Sequence, residues 1–223
     1  MGRLPFSGGP VLLRRILAPF LVVLLLLLGR AASIAVRESR REGELSRCLF
    51  AARAIGMATQ NRADTGKCWP ALKDRRENAP LGWRTELWNF IEPARARTPE
   101  ELRAFPAGIF HLGDPASSAT NVYAIVGPGT AFSPEQPCDF DEAPAGTLLY
   151  VSGRPSVEPW HRAGDVRIED LDQEGRSIRE VVGEAIEGRT FLLYRDGEVK
   201  VVDSSEPASE LARQARWRSR TAR

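Results

Sequence analysis

Ile16 to Leu28 (ILAPFLVVLLLLL), an uninterrupted run without a polar side chain, constrains this chain more than any other feature. At about 1.5 Å per residue the run covers roughly 20 Å of helix, against about 30 Å for the hydrocarbon core of a bilayer. Val11 to Leu13 and Ala31 to Val36 lengthen it if Arg14, Arg15 and Arg30 bend their guanidinium groups towards headgroups. Residues 11–36 are therefore expected to form a membrane anchor. Its lipid-facing side chains are Ile16, Leu17, Phe20, Leu21, Val22, Val23, Leu24, Leu25, Leu26, Leu27 and Leu28. A cleaved signal peptide is the competing reading, since a basic flank, a short apolar run and small residues at Gly29 and Ala31 share its layout.

The residues that follow favour retention. Ala31 to Arg62 contains no proline, and Leu45, Cys48, Leu49, Ala52, Ile55 and Gly56 recur at helical spacing. The anchor thus continues, over residues 37–62, into an amphipathic helix whose apolar stripe faces a domain. The charged flanks are balanced, with Arg3, Arg14 and Arg15 on one side and Arg30, Arg37, Arg40 and Arg41 on the other. Because the N-terminal flank is short, residues 1–10 are expected to stay in the cytoplasm. The domain then lies outside it: a single-pass protein of the cell membrane with an extracytoplasmic, periplasmic body.

Residues 63–203 read as that body. Asn61 to Pro80 is a polar loop, Trp83 to Glu92 a short helix stopped by Pro93, and Thr98-Pro99-Glu100-Glu101 a helix start. Strands follow at Asn121 to Val126 and Thr147 to Val151, with a short edge strand at Asp165 to Ile168. After a helical stretch at Ile178 to Ile186, FLLYRDGEVKVV (Phe191 to Val202) reads as a hairpin around a two-residue Asp196-Gly197 turn. Helix first and antiparallel strands after, with no alternating strand–helix rhythm, predict an α+β fold. Residues 204–223 form a polar, basic C-terminal tail. There Trp217 among Arg213, Arg216, Arg218, Arg220 and Arg223 is a candidate for contact with anionic lipid, against a plain disordered terminus.

The order of these pieces resembles a bacterial prepilin-like family of unknown function, which carries a C-terminal His-to-Asp-Gly signature. The likeness rests on Ser46-Arg47-Cys48-Leu49 to Ile55-Gly56-Met57-Ala58, Gly82-Trp83-Arg84 with Phe90-Ile91-Glu92, and Thr120-Asn121-Val122-Tyr123 to Phe132. Pro159-Trp160 with Asp165, and the final hairpin, complete it. The resemblance implies a pilin-like architecture, a long N-terminal helix half in the membrane and half packed on an antiparallel sheet. It implies an extracytoplasmic place and membrane lipid plus other pilin-like or envelope proteins as partners; it implies no activity. The chain departs from the family pattern at Gly9-Pro10-Val11-Leu12-Leu13-Arg14-Arg15, where a prepilin has its processing site and a glutamate. It departs again at Ile186, near which the signature histidine should fall.

Chemistry is sparse. The two histidines, His111 and His161, stand in no metal-ligating or catalytic spacing, and there is no nucleophile elbow or phosphate-binding loop. Gly127-Pro128-Gly129-Thr130 reads as a strand-ending turn, and neither Asp139-Asp141-Glu142 nor the acids from Asp165 to Asp172 alternate as a calcium loop does. No cofactor, no metal and no enzymatic activity are expected. Nucleic acid is not expected either, because the 31 basic residues, only three of them lysine, are interspersed with 29 acids. Among the cysteines, a Cys68–Cys138 disulfide with Cys48 as a buried thiol stands ahead of a Cys48–Cys68 pair. Trp69 and Trp160 are candidates for a solute- or carbohydrate-binding surface, with Trp83 and Trp88 five residues apart on a helix; core packing is the favoured reading for all four.

Overall fold

The computed structural model describes residues 9–66, 69–70, 82–91, 108–114, 116–117, 119–132, 143–160 and 163–217, with side chains from Phe20 onward. It divides into two units at Leu45/Ser46. Helix α1 (Gly9–Gly66) contributes to both. In the first unit every side chain from Phe20 to Leu28 is exposed. Within α1, the segment from Phe20 onward is the one helix among the described residues that is long and apolar enough to cross a membrane.

The second unit is an α+β fold on a mixed five-stranded sheet. Helix α2 (Trp83–Ile91) is followed by β1 (Val122–Val126), β2 (Leu148–Ser152), β3 (Val166–Arg167) and the one-turn helices α3 (Ile168–Leu171) and α4 (Ile178–Val181). The hairpin β4 (Arg189–Tyr194) and β5 (Val199–Asp203) and helix α5 (Ala208–Ala215) close the chain. Strand order is β3-β1-β2-β4-β5. Three of the four pairings are antiparallel, as the sequence predicts; β3 instead runs parallel to β1, with Ile125 opposite Val166. A two-residue edge strand can take either direction, because little of its registry is specified by side-chain alternation.

Helices cover both faces. On one, Cys48, Ala52, Ile55, Gly56, Thr59 and Ala63 form the buried stripe of α1, spaced so that each successive turn presents a small residue. That smallness permits close approach. The Tyr150 hydroxyl lies 3.1 Å from Thr59 Oγ1. Since Thr59 spends its own proton on the Ile55 carbonyl at 2.9 Å, the tyrosine is the donor. Gln60 Nε2 reaches the Arg195 carbonyl at 3.2 Å, and a β-carbon on Gly56 would sit 3.4 Å from Gly197 Cα. Trp83 and Phe132 pack on the Tyr150 ring at 4.6 and 5.3 Å between centroids. On the opposite face, Ile125, Val151 and Leu192 pack with α3, α4 and α5 through Ile168, Ile178 and Leu211.

Two readings of the sequence are refined here. The β4–β5 connection is a three-residue loop, Arg195 to Gly197, in which Tyr194 N–H donates to Glu198 O at 3.0 Å. Gly197 takes φ +82°, the left-handed position of a type I turn with a bulge rather than a two-residue turn. The C-terminal segment does more than trail: Ala208, Leu211, Ala212 and Ala215 of α5 are buried. Trp217 folds back so that its backbone N–H donates to Gly129 O at 2.8 Å and its side chain is buried. Its indole is therefore inside the domain, not offered to lipid.

Candidate functional site

Trp83, Arg84 and Asp165 meet in one buried network. Arg84, on α2, donates to the carbonyls of Ala163 (3.1 Å) and Val122 (2.9 Å) and to Asp165 Oδ1 at 3.0 Å. That same carboxylate oxygen accepts from Trp83 Nε1 and from the Ala124 N–H, each at 3.0 Å. The Arg84 guanidinium also sits over the Trp83 ring, 4.4 Å from its centroid. Burial pulls the Arg84 pKa down and Asp165 pulls it back up. With side chains 5% and 15% exposed, the pair ties α2, β1 and the approach to β3 together. Thr120 and Asn121 do the same next door. Thr120 Oγ1 donates to Phe110 O, and the Asn121 amide both accepts from Leu112 N–H (2.7 Å) and donates to Leu112 O (2.9 Å), as a strand neighbour would. Their donors and acceptors go to the backbone and to one another. They build the fold.

The four tryptophans are core, the reading the sequence favoured over a binding surface. Trp69 is 7% exposed and packs on Phe132; Trp160 is 1% exposed and stacks on Phe110 with 5.7 Å between centroids. Trp83 and Trp88 are buried too, the latter against Trp160. Two loops and a helix pool their indoles into one aromatic cluster, whose burial gains more than exposure to a sugar could. Gly127 to Thr130 is the expected turn, with Gly127 and Gly129 at φ +134° and +76°. Cys48 is a buried thiol on the α1 stripe. Cys68, Cys138, His161 and the acids 139–142 lie outside the described residues, as do the side chains of Ile16 and Leu17. Among the described residues no group of His, Cys, Asp and Glu could hold a metal ion.

One concavity stands out. A groove of about 450 Å³ opens between α1 and the segment after the 3-10 turn Gly108–Phe110, lined by Ser46, Arg47, Phe50, Ala51, Ile109, His111 and Gly113. Phe50 lies off the buried stripe and is 72% exposed, a large aromatic ring kept at the surface. His111 is half-buried. Its Nδ1 accepts from the Asp114 N–H at 3.2 Å, and burial lowers its pKa below the ordinary histidine value despite Asp114 nearby. The neutral ring therefore carries its proton on Nε2. Sequence reasoning passed over this place. The available signal was Phe50 itself, an aromatic out of phase with the helical stripe.

The fold and these features define an α+β domain built around one long N-terminal helix that also carries an apolar, membrane-length segment. No family model matches the chain, and no curated protein or solved structure does.

Proposed function

We propose that the chain is a non-enzymatic, membrane-anchored subunit of pseudopilin type, with its domain outside the cytoplasm and its role in an envelope or secretion-type assembly. The observation that carries this reading is α1. A single helix holds both a fully exposed apolar segment, Phe20 to Leu28, and a buried stripe from Cys48 to Ala63. Such a helix serves as anchor and as structural spine at once. The family likeness adds support, because Gly82-Trp83-Arg84, Thr120-Asn121 and Asp165 are the groups that hold the fold together. The absent processing motif at Gly9 to Arg15 separates anchoring from filament assembly, so the subunit is expected to keep its own N-terminal segment. The glycan-binding alternative loses its basis, since Trp69 and Trp160 are interior.

Fractionation with N-terminal sequencing of the mature chain tests this directly, combined with crosslinking in cells from a photoreactive residue at the exposed Met57. The expected result is a carbonate-resistant membrane protein that retains residues 16–28 and crosslinks to another envelope protein or to a second copy. A soluble product beginning after Ala31 would refute the anchor; a retained anchor that crosslinks to nothing would refute the assembly role.

A further inference from the structure

The groove beside α1 combines three properties that point to one class of ligand. Its surface is mostly apolar, with the Phe50 ring, the Ala51 methyl and the Ile109 side chain among its walls. Its volume, about 450 Å³, falls within the roughly 300–1,000 Å³ of small-molecule sites. Each of its polar side chains can donate a hydrogen bond. Arg47 offers a guanidinium with no ion-pair partner among the described residues, and Ser46 a hydroxyl. His111 has committed Nδ1 as an acceptor to Asp114, leaving Nε2–H to give. An apolar slot whose edge carries a cation and two further hydrogen-bond donors complements a molecule with an apolar body and an acceptor head. The charge fixes the head further. One cation beside two neutral donors matches a monoanion, and a carboxylate suits the forked guanidinium geometry.

We propose that this groove binds a single-chain fatty carboxylate, its tail along Phe50, Ala51 and Ile109 and its carboxylate against Arg47, with Ser46 and His111 as supporting donors. The site goes beyond the assembly role and does not depend on it. A chain anchored in a bilayer would meet such amphiphiles at high local concentration. Phe50 keeps its ring exposed because the ring is one wall of this site, not because the core lacks room for it.

The test uses the full-length chain in nanodiscs of zwitterionic phosphatidylcholine, with carbon-13 in its histidine rings. Only two histidines exist, so a His161→Gln variant assigns the His111 signal. Dodecanoate and dodecanol, of equal chain length, are titrated against wild type, Arg47→Gln and Phe50→Ser. Partitioning into identical bilayers cancels between the proteins. The expected result is a saturable shift of the His111 signal with dodecanoate and at least tenfold weaker binding of dodecanol. Arg47→Gln should abolish that preference, and Phe50→Ser should weaken both probes while leaving the thermal midpoint in place. No saturable shift, equal affinity for acid and alcohol in wild type, or an undiminished preference in Arg47→Gln would each overturn the proposal.

Discussion

Replacing Asp165 by alanine removes the anion that pairs with Arg84 inside the domain. Asp165 Oδ1 accepts three hydrogen bonds at 3.0 Å, from Trp83 Nε1, the Ala124 N–H and Arg84. After the substitution Arg84 keeps three backbone carbonyls, of Val122, Ala163 and Gly164, but loses its countercharge, while Trp83 and Ala124 are left as buried donors without acceptors. Breaking a buried pair from one side costs about 3–5 kcal/mol, and each neutral donor adds about 1–3 if no water reaches it. The pair is 5% and 15% exposed, so solvent screening returns little of this. A loss of at least about 3 kcal/mol is expected, which for a domain of this size lowers the thermal midpoint by roughly 6–12 °C. Arg84→Met strands the carboxylate instead and should cost a similar amount. The double variant Arg84→Met/Asp165→Ala should cost well under the sum, because neither charge then remains buried alone. Denaturant unfolding of the full chain in one detergent, followed by tryptophan fluorescence, supplies all four corners of the cycle. A single-variant loss under about 1 kcal/mol, or strict additivity in the double, would refute the account of this network as the fold's central tie.

Three further outcomes follow from the same contacts. All three tyrosines have raised phenol pKa values: burial pushes Tyr194 to about 12 and holds Tyr150 and Tyr123 above their ordinary value. A raised folded pKa means stability that is complete below the unfolded value near 10. It is lost as pH climbs from there towards the folded values, at up to about 1.4 kcal/mol per pH unit for each tyrosine. Tyrosinate absorbance should therefore appear together with loss of near-UV circular dichroism; half-ionisation at pH 10 in a folded domain would contradict it. A β-carbon on Gly153 would lie 2.2 Å from Val182 O, whereas one on Gly146 meets nothing within 4 Å. Gly153→Ala should thus cost about 1–3 kcal/mol by overpacking, and Gly146→Ala should be neutral or gain about 0.4–1 by stiffening the unfolded chain; equal denaturation midpoints would count against this. Leu24→Arg places a cation mid-segment at a cost of about 3 kcal/mol on insertion scales, and should shift the protein out of the carbonate-resistant fraction.

Local signals carried much of this fold. Strands β1 and β2 announced themselves through β-branched and aromatic runs closed by glycine, and the hairpin through Asp196-Gly197. The α1 stripe was legible because Cys48, Ala52, Ile55 and Gly56 repeat at the helical period, and the structure packs that face on the sheet. Long-range choices were not legible. Nothing local distinguishes a loop tryptophan that stacks in the core, as Trp160 does on Phe110, from one left in solvent. Helix α5 buries mainly Ala208, Ala212 and Ala215, whose methyl groups make too faint a stripe to separate from a polar tail. The groove depends on Phe50 and Ile109, 59 positions apart, meeting across α1, and periodicity marks only the first of them as out of place.

Buried polar groups and exposed ones play different parts in this domain. Trp83, Arg84, Thr120, Asn121 and Asp165 are all consumed by contacts with backbone carbonyls, amides and one another. Groups so occupied transmit an architecture, since any chain that keeps them keeps the packing of α2 against β1. They do not transmit a job. A specific role depends instead on residues left exposed, and on α1 these include Arg47 and Phe50 on its open side. The domain is therefore better understood through the exposed face of α1, where the groove opens, than through its buried polar network.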